Sequence, residues 1–159
     1  MNSIKQGLHS SAMGPAGVGK TETMKDLCRY LGNPCMVTNC SDQMDYNIVH
    51  SLFKGIASSG CWCIFDEFNR ISVNMISVFA QQLQNVTECR NKAKCCIGED
   101  EVLVNPNFFI GVTYNPGYAG RTFIPHTITE YFRSISMTVP DVSATAEFML
   151  YSQGFMKGR

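Results

Sequence analysis

With 159 residues, 45% of them hydrophobic and 16% charged, the chain has the length and composition of one globular domain with a real core. Thirteen basic and thirteen acidic residues cancel, which excludes an overall field that would attract nucleic acid or an acidic membrane surface. No apolar run approaches the roughly 20 residues that span a bilayer, and the opening MNSIKQGLHSSAM lacks the apolar core of a signal peptide, so the expectation is a cytoplasmic protein.

In chain order, a strand is needed in LHSSAM ahead of a glycine-rich loop, but that stretch is too polar to declare one. After the loop, Met24, Leu27, Cys28 and Leu31 recur at helical spacing and Gly32 is a natural stop. CMVTNC reads as a buried strand, and Asp42 is placed to cap a second helix carrying Met44, Ile48, Leu52 and Ile56. CWCIFDEF reads as another buried strand with acids at its end, and Ser72 as the cap of a third helix through Val73, Ile76, Ala80 and Leu83. KCCIGEDEVLV, two short runs around Gly98, Glu99 and Asp100, predicts a β-hairpin inserted over about residues 90–106. FFIGVTYN is a further buried strand, followed by the loop PGYAGRTFIP, a short helix near TITEYF and a last strand, SISMTV. Pro140 and Asp141 then start a terminal helix that runs out near Gly154. Apolar runs alternating with amphipathic stretches are the pattern of a parallel sheet flanked by helices.

The eight cysteines (28, 35, 40, 61, 63, 89, 95 and 96) lack zinc spacing, CWC and CC among them, and the chain has only three histidines to complete a site. Most lie in apolar runs, where a reduced thiol acts as a small hydrophobe, so buried free thiols are expected and disulfides are not.

Two stretches carry chemistry. GPAGVGKT satisfies G-x-x-x-x-G-K-[ST] in full and precedes a helix. The glycines let successive backbone N–H groups turn inward onto phosphate oxygens, and the helix adds its N-terminal dipole. Gly14, Pro15, Ala16, Gly17, Val18, Gly19, Lys20, Thr21 and Glu22 are therefore the candidate nucleotide-binding residues, with Lys20 reaching the β- and γ-phosphates and Thr21 ligating magnesium. CIFDEF places Asp66 and Glu67 at the end of an apolar strand, where acids are costly unless something cationic sits opposite. Asp66 is the second candidate for the magnesium shell and Glu67 the group that polarises an attacking water. Asn115 ends the next apolar strand, where it can orient water near the γ-phosphate, although Asn-Pro-Gly alone is a turn signal. Arg133, taken alone, reads as a solvated side chain. Asn39, closing CMVTN, is a switch candidate that could hydrogen-bond Glu67 and hold it inactive.

GPAGVGKTETMKDL, NCSDQMDY, FKGIASSGCWCIFDEFNRI, AQQL, YNPGYAGRT and FRSISMTVPD together closely resemble the first AAA+ module of dynein heavy chains, nearly end to end. The resemblance implies a P-loop AAA+ α/β three-layer sandwich: a parallel five-stranded sheet in order 5-1-4-3-2, helices on both faces and a hairpin before the sensor strand. It implies ATP or ADP with Mg2+ at the site whose ATP hydrolysis powers movement on microtubules. By motif, Gly14 to Thr21 form the Walker A loop, Asp66 and Glu67 the Walker B pair, and Asn115 the sensor. Arg133 takes the place of the arginine finger that serves a neighbouring module's nucleotide in trans. Neighbouring AAA+ modules are the implied partners, with light and intermediate chains and microtubules engaged through parts this chain lacks. The implied location is the cytoplasm and cytoskeleton, or a cilium or axoneme.

The chain departs from the family pattern at Ser10 and Ser11, where glycines are usual, in RTFIP, and at Ser134, where proline is usual. All 159 residues are expected to form one large, nucleotide-binding subdomain without the small helical lid, binding nucleotide with little turnover in isolation. A non-catalytic nucleotide-binding structural domain is the alternative. A nucleoside-kinase-like phosphotransferase is disfavoured, because its lid arginines and acceptor pocket have no candidates.

Overall fold

A computed structural model describes residues 7–98, 100–116 and 124–155. Strand β1 (His9–Met13) leads through the glycine loop into helix α1 (Lys20–Tyr30), then β2 (Cys35–Asn39) and α2 (Tyr46–Ser59). Strand β3 (Trp62–Asp66) is followed by a single 3-10 turn (Phe68–Arg70) and α3 (Val73–Glu88). The hairpin strands β4 (Lys94–Ile97) and β5 (Asp100–Leu103) precede β6 (Phe109–Tyr114). The one-turn helix α4 (His126–Thr129), β7 (Phe132–Ser136) and α5 (Val142–Ser152) complete the chain.

Five strands form one sheet in the order β2-β3-β6-β1-β7, every neighbouring pair parallel. Numbering those strands alone along the chain gives the expected order 5-1-4-3-2. The period-two alternation of a strand sends successive residues of β3 to opposite faces. Cys63 and Phe65 join a core with Phe53 and Ile56 of α2 and Ile76, Phe79 and Leu83 of α3. Trp62 and Ile64 meet Met24 and Cys28 of α1 on the other side. Phe79 anchors the larger core, its ring edge-on to Phe53, Phe65 and Phe68 at 4.7–4.9 Å between centroids. The expected hairpin is present as an antiparallel pair, seated on α2 and α3.

Several details differ from expectation. LHSSAM does form a strand, and β1 lies inside the sheet between β6 and β7. Its His9 can be fully buried because it is bonded: the Ile110 N–H donates to His9 Nδ1 at 3.2 Å, which leaves His9 Nε2 as the donor to Thr87 Oγ1, also at 3.2 Å. Strand β2 is at the edge and largely exposed, not buried, because a sheet edge has one neighbour and α1 covers only part of it. Asp45, not Asp42, caps α2, its side chain accepting from the Ile48 N–H at 2.9 Å. That shift turns Val49, Phe53, Ile56 and Ala57 inward and leaves Ile48 at the surface. The last strand is Phe132–Ser136, two residues earlier than SISMTV suggests.

The cysteines also need correction. Cys28, Cys40 and Cys63 are buried free thiols, but Cys35 and Cys96 are exposed, and Cys89 is disulfide-bonded to Cys95. Cys89 ends α3 and Cys95 lies on β4, so the hairpin's seat on the helix brings together two thiols that the sequence pattern does not pair.

Candidate functional site

Strands β1, β2, β3 and β6 deliver their predicted residues at their C-terminal ends, the end at which open α/β sheets form their binding crevice. Gly14 follows β1, Asn39 ends β2, Asp66 ends β3 and Asn115 follows β6. Between them lies a cleft of about 510 Å³ lined by Gly17, Gly19, Lys20, Thr21, Glu22, Asn39, Asp66 and Glu67, among others.

The loop's glycines have separate reasons. A Cβ on Gly14 would collide with the Met137 carbonyl just beyond β7. Gly17 and Gly19 both adopt left-handed φ, 77° and 80°, where an added Cβ would point into open space. Gly19 caps α1 without a side-chain bond. The first N–H groups of a helix lack carbonyl partners of their own, so this turn presents bare donors and a positive dipole end to the cleft. That cradle fits phosphate. Pro15 and Ala16 are exposed on the loop's rim, Val18 is half-buried, and Glu22 is engaged by Lys25 at 2.6 Å.

Lys20 is 8% exposed, and its ammonium donates to Gly14 O at 3.0 Å, Pro15 O at 2.7 Å and Asn115 Oδ1 at 2.5 Å. Thr21 Oγ1 donates to Asp66 Oδ1 at 2.6 Å. A hydroxyl touching a carboxylate is a hard-oxygen pair suited to Mg2+, which takes one or two protein oxygens and completes its shell with phosphate and water. Among the described residues, no group of three His, Cys, Asp or Glu is placed to hold a metal by itself.

Glu67 has φ 55° and ψ 42°, the only non-glycine with positive φ among the described residues. Its Oε1 accepts from Asn115 Nδ2 at 3.1 Å and its Oε2 lies 3.5 Å from Arg70 Nε. Asn115 is thus an amide partner of Glu67, and Asn39 lines the cleft on the neighbouring strand, in register with Asp66.

Two polar residues without an assigned role in the sequence reading belong to the same network. Buried Asn69 donates from Nδ2 to the Asn115 carbonyl at 3.0 Å. Buried Thr113 donates from Oγ1 to Asp66 Oδ1 and accepts from the Glu67 N–H at 3.2 Å. The available signal was period two: Thr113 precedes Asn115 by two positions and so shares its side of β6. Arg133 is not brought to the cleft. It is exposed near the start of β7, opposite Ser10, and has no hydrogen-bond or ion-pair partner among the described residues. Most of the expected loop PGYAGRTFIP, residues 117–123, lies outside the described residues.

A family model described as the hydrolytic ATP binding site of dynein motor region matches residues 1–159. The chain belongs to this family. Relatives include dynein axonemal heavy chain 3 of Homo sapiens, 45% identical over 161 residues, covering 100% of this chain and 4% of that protein. Dynein axonemal heavy chain 12 of Mus musculus is 47% identical over 148 residues, 92% of this chain and 5% of that one. Dynein heavy chain-like protein 2 of Plasmodium falciparum (isolate 3D7) is 44% identical over 148 residues, 92% and 3% respectively. The dynein-family chain therefore spans only about 3 to 5% of the length of these relatives. Among solved structures, a protein of Cytophaga hutchinsonii described provisionally as an ATPase superposes with a TM-score of 0.67 at 18% identity, covering 98% of this chain and 49% of that one; it supports the fold alone.

Proposed function

We propose that this chain is the large, nucleotide-binding subdomain of a dynein AAA+ module, and that it binds magnesium-ATP in the described cleft and hydrolyses it as part of a motor ring. The observation that carries the reading is the convergence of Lys20, Thr21, Asp66 and Glu67 on one cleft beside a bare helix N-terminus, with buried Asn115 bonded to both Lys20 and Glu67.

Bound magnesium-ATP supplies the scissile phosphoanhydride and a cation that neutralises its charge. The protein's part is to bind, orient and accept a proton. The loop N–H groups and Lys20 take the phosphates, Lys20 being held over the loop by the Gly14 and Pro15 carbonyls. Thr21 and Asp66 hold the metal side. Glu67 is the base that draws a proton from the attacking water, and Asn115, bonded to it, sets the carboxylate's direction. Arg133 acts on a neighbouring module's nucleotide; in support, it pairs with Ser10 near the start of β1, away from the strand end that carries the phosphate loop, and does not line the chain's own cleft. Microtubules and the other ring modules are the partners of the assembled motor, and a ciliary or axonemal setting follows from the axonemal relatives.

The test is titration of the chain with fluorescent ATP and ADP, with and without magnesium, joined to phosphate release by the assembled motor. Magnesium-enhanced binding that Lys20→Ala abolishes, and phosphate release that Glu67→Gln abolishes, support the reading. Equal affinity in wild type and Lys20→Ala would sink it.

A further inference from the structure

Asp66 and Glu67 are consecutive, yet their two tasks need opposite orientations: one carboxylate toward the metal side, the next toward water. The chain makes that turn by placing Glu67 in the left-handed region, which crowds an L-residue's Cβ against the following carbonyl oxygen. Something must hold the turn. From β6, the Thr113 hydroxyl does so from both sides, accepting the Glu67 N–H at 3.2 Å and donating its own proton to Asp66 Oδ1. Its residue is 1% exposed, which shields the hydroxyl itself from bulk water.

The same oxygen, Asp66 Oδ1, also receives the Thr21 hydroxyl, while Oδ2 has no hydrogen-bond partner among the described residues. Two donors on one oxygen fix the carboxylate's rotation. A hydroxyl is required for this. Valine has the same shape and β-branching but can neither donate nor accept.

We propose that Thr113 is the positioning residue of the acid pair: its one hydroxyl sets the Asp66 carboxylate toward the magnesium side and locks the Glu67 backbone in the turn that aims its carboxylate at the attacking water. The proposal rests on the nucleotide-site reading above but makes a claim about the ligand-free protein too. Partners of metal-ligating side chains typically cost about 10- to 100-fold in metal affinity or activity when removed.

The experiment compares wild type with Thr113→Val, Thr113→Ala and Thr113→Ser. The first readout, without nucleotide, is hydrogen exchange at the Glu67 amide in the chain. Thr113→Val should speed it at least about tenfold relative to the amides of β3, and Thr113→Ser should restore wild-type protection. The second is the magnesium concentration that half-saturates the enhancement of ADP binding. It should rise about 10- to 100-fold in Thr113→Val, with affinity in chelator unchanged, and return with Thr113→Ser. A merely structural role would lower affinity with and without magnesium alike and would not be rescued by serine. If Thr113→Val does not fold, Thr113→Ala takes its place with the same expectations. Glu67 exchange within about twofold of wild type in the folded hydroxyl-free variant, or no rescue by serine, overturns the proposal. If the wild type binds no nucleotide, the proposed function fails, and the exchange measurement still decides this one.

Discussion

Lys20 and Asn115 stand 95 positions apart in sequence, yet the lysine ammonium donates to the asparagine Oδ1 at 2.5 Å. The cation of the phosphate loop and the polar end of β6 are thereby one unit, and the other end of the same amide reaches Glu67. Lys20→Ala removes a charge-assisted donor from a buried position, worth about 1.5 to 3 kcal/mol. ATP affinity should fall about 10- to 150-fold in a fluorescence titration; a change under about threefold would contradict the assignment.

Glu67→Gln keeps shape and hydrogen-bonding reach but removes the base. Turnover by the motor containing it should drop by about 10² to 10⁴ while nucleotide affinity holds, as read by phosphate release beside equilibrium binding. Loss of both together would make Glu67 a binding residue.

Arg133 is exposed on an edge strand with no partner among the described residues. Arg133→Ala should move nucleotide binding by the isolated chain less than about twofold. In an assembled ring it should slow the neighbouring site by about 10³ to 10⁵. Robust turnover by the isolated chain that vanishes in Arg133→Ala would place the arginine in cis.

Burial, and after it the Arg90 charge, push the His9 imidazole down from its ordinary 6.5 to about 3. The folded chain therefore refuses a proton that the unfolded chain accepts. The resulting stability is intact above pH 6.5 and falls by about 1.4 kcal/mol per unit as the pH drops from there toward 3. Urea midpoints at pH 7, 5.5 and 4.5 should record the decline, and His9→Gln should flatten its slope. An unchanged slope in that variant would remove His9 as the cause.

Unfolded under non-reducing conditions, the chain should show six reactive thiols, with Cys89 and Cys95 paired. In the native chain, Cys35 and Cys96 should react first. Cys28, Cys40 and Cys63 should lag, because burial pushes each up to about 12. Eight thiols by mass after alkylation would show that the disulfide is absent.

The phosphate loop and the acid pair were legible because their requirements are local: a glycine pattern, an apolar run, acids at its end; the sheet order came only with the family resemblance. What escaped depends on distant partners. The polarity of His9 and Ser11 hid β1, since the bonds that satisfy His9 come from Ile110 and Thr87. CMVTN looks as apolar as a central strand, and only the sheet order makes it an edge. Asp42 and Asp45 are equally good caps by residue type; which one serves depends on the face that packs against α3. Thr113 looks like an ordinary strand residue until Asp66 and Glu67 are beside it.

Strand β1 is made early and seated late. It pairs with no strand near it in sequence, only with β6 and β7, and His9 meets Ile110 across 101 positions. At ribosomal rates of about 5 to 20 residues per second, the phosphate loop leaves synthesis on the order of 5 to 20 seconds before β6 can fix its base. Nor can Lys20 find Asn115 before that strand is complete. A nascent or truncated chain ending before residue 115 thus carries the whole glycine motif without the strand and the asparagine that seat it. Nucleotide capture becomes a sign that synthesis has passed β6, and a ligand present during translation stabilises only chains that have.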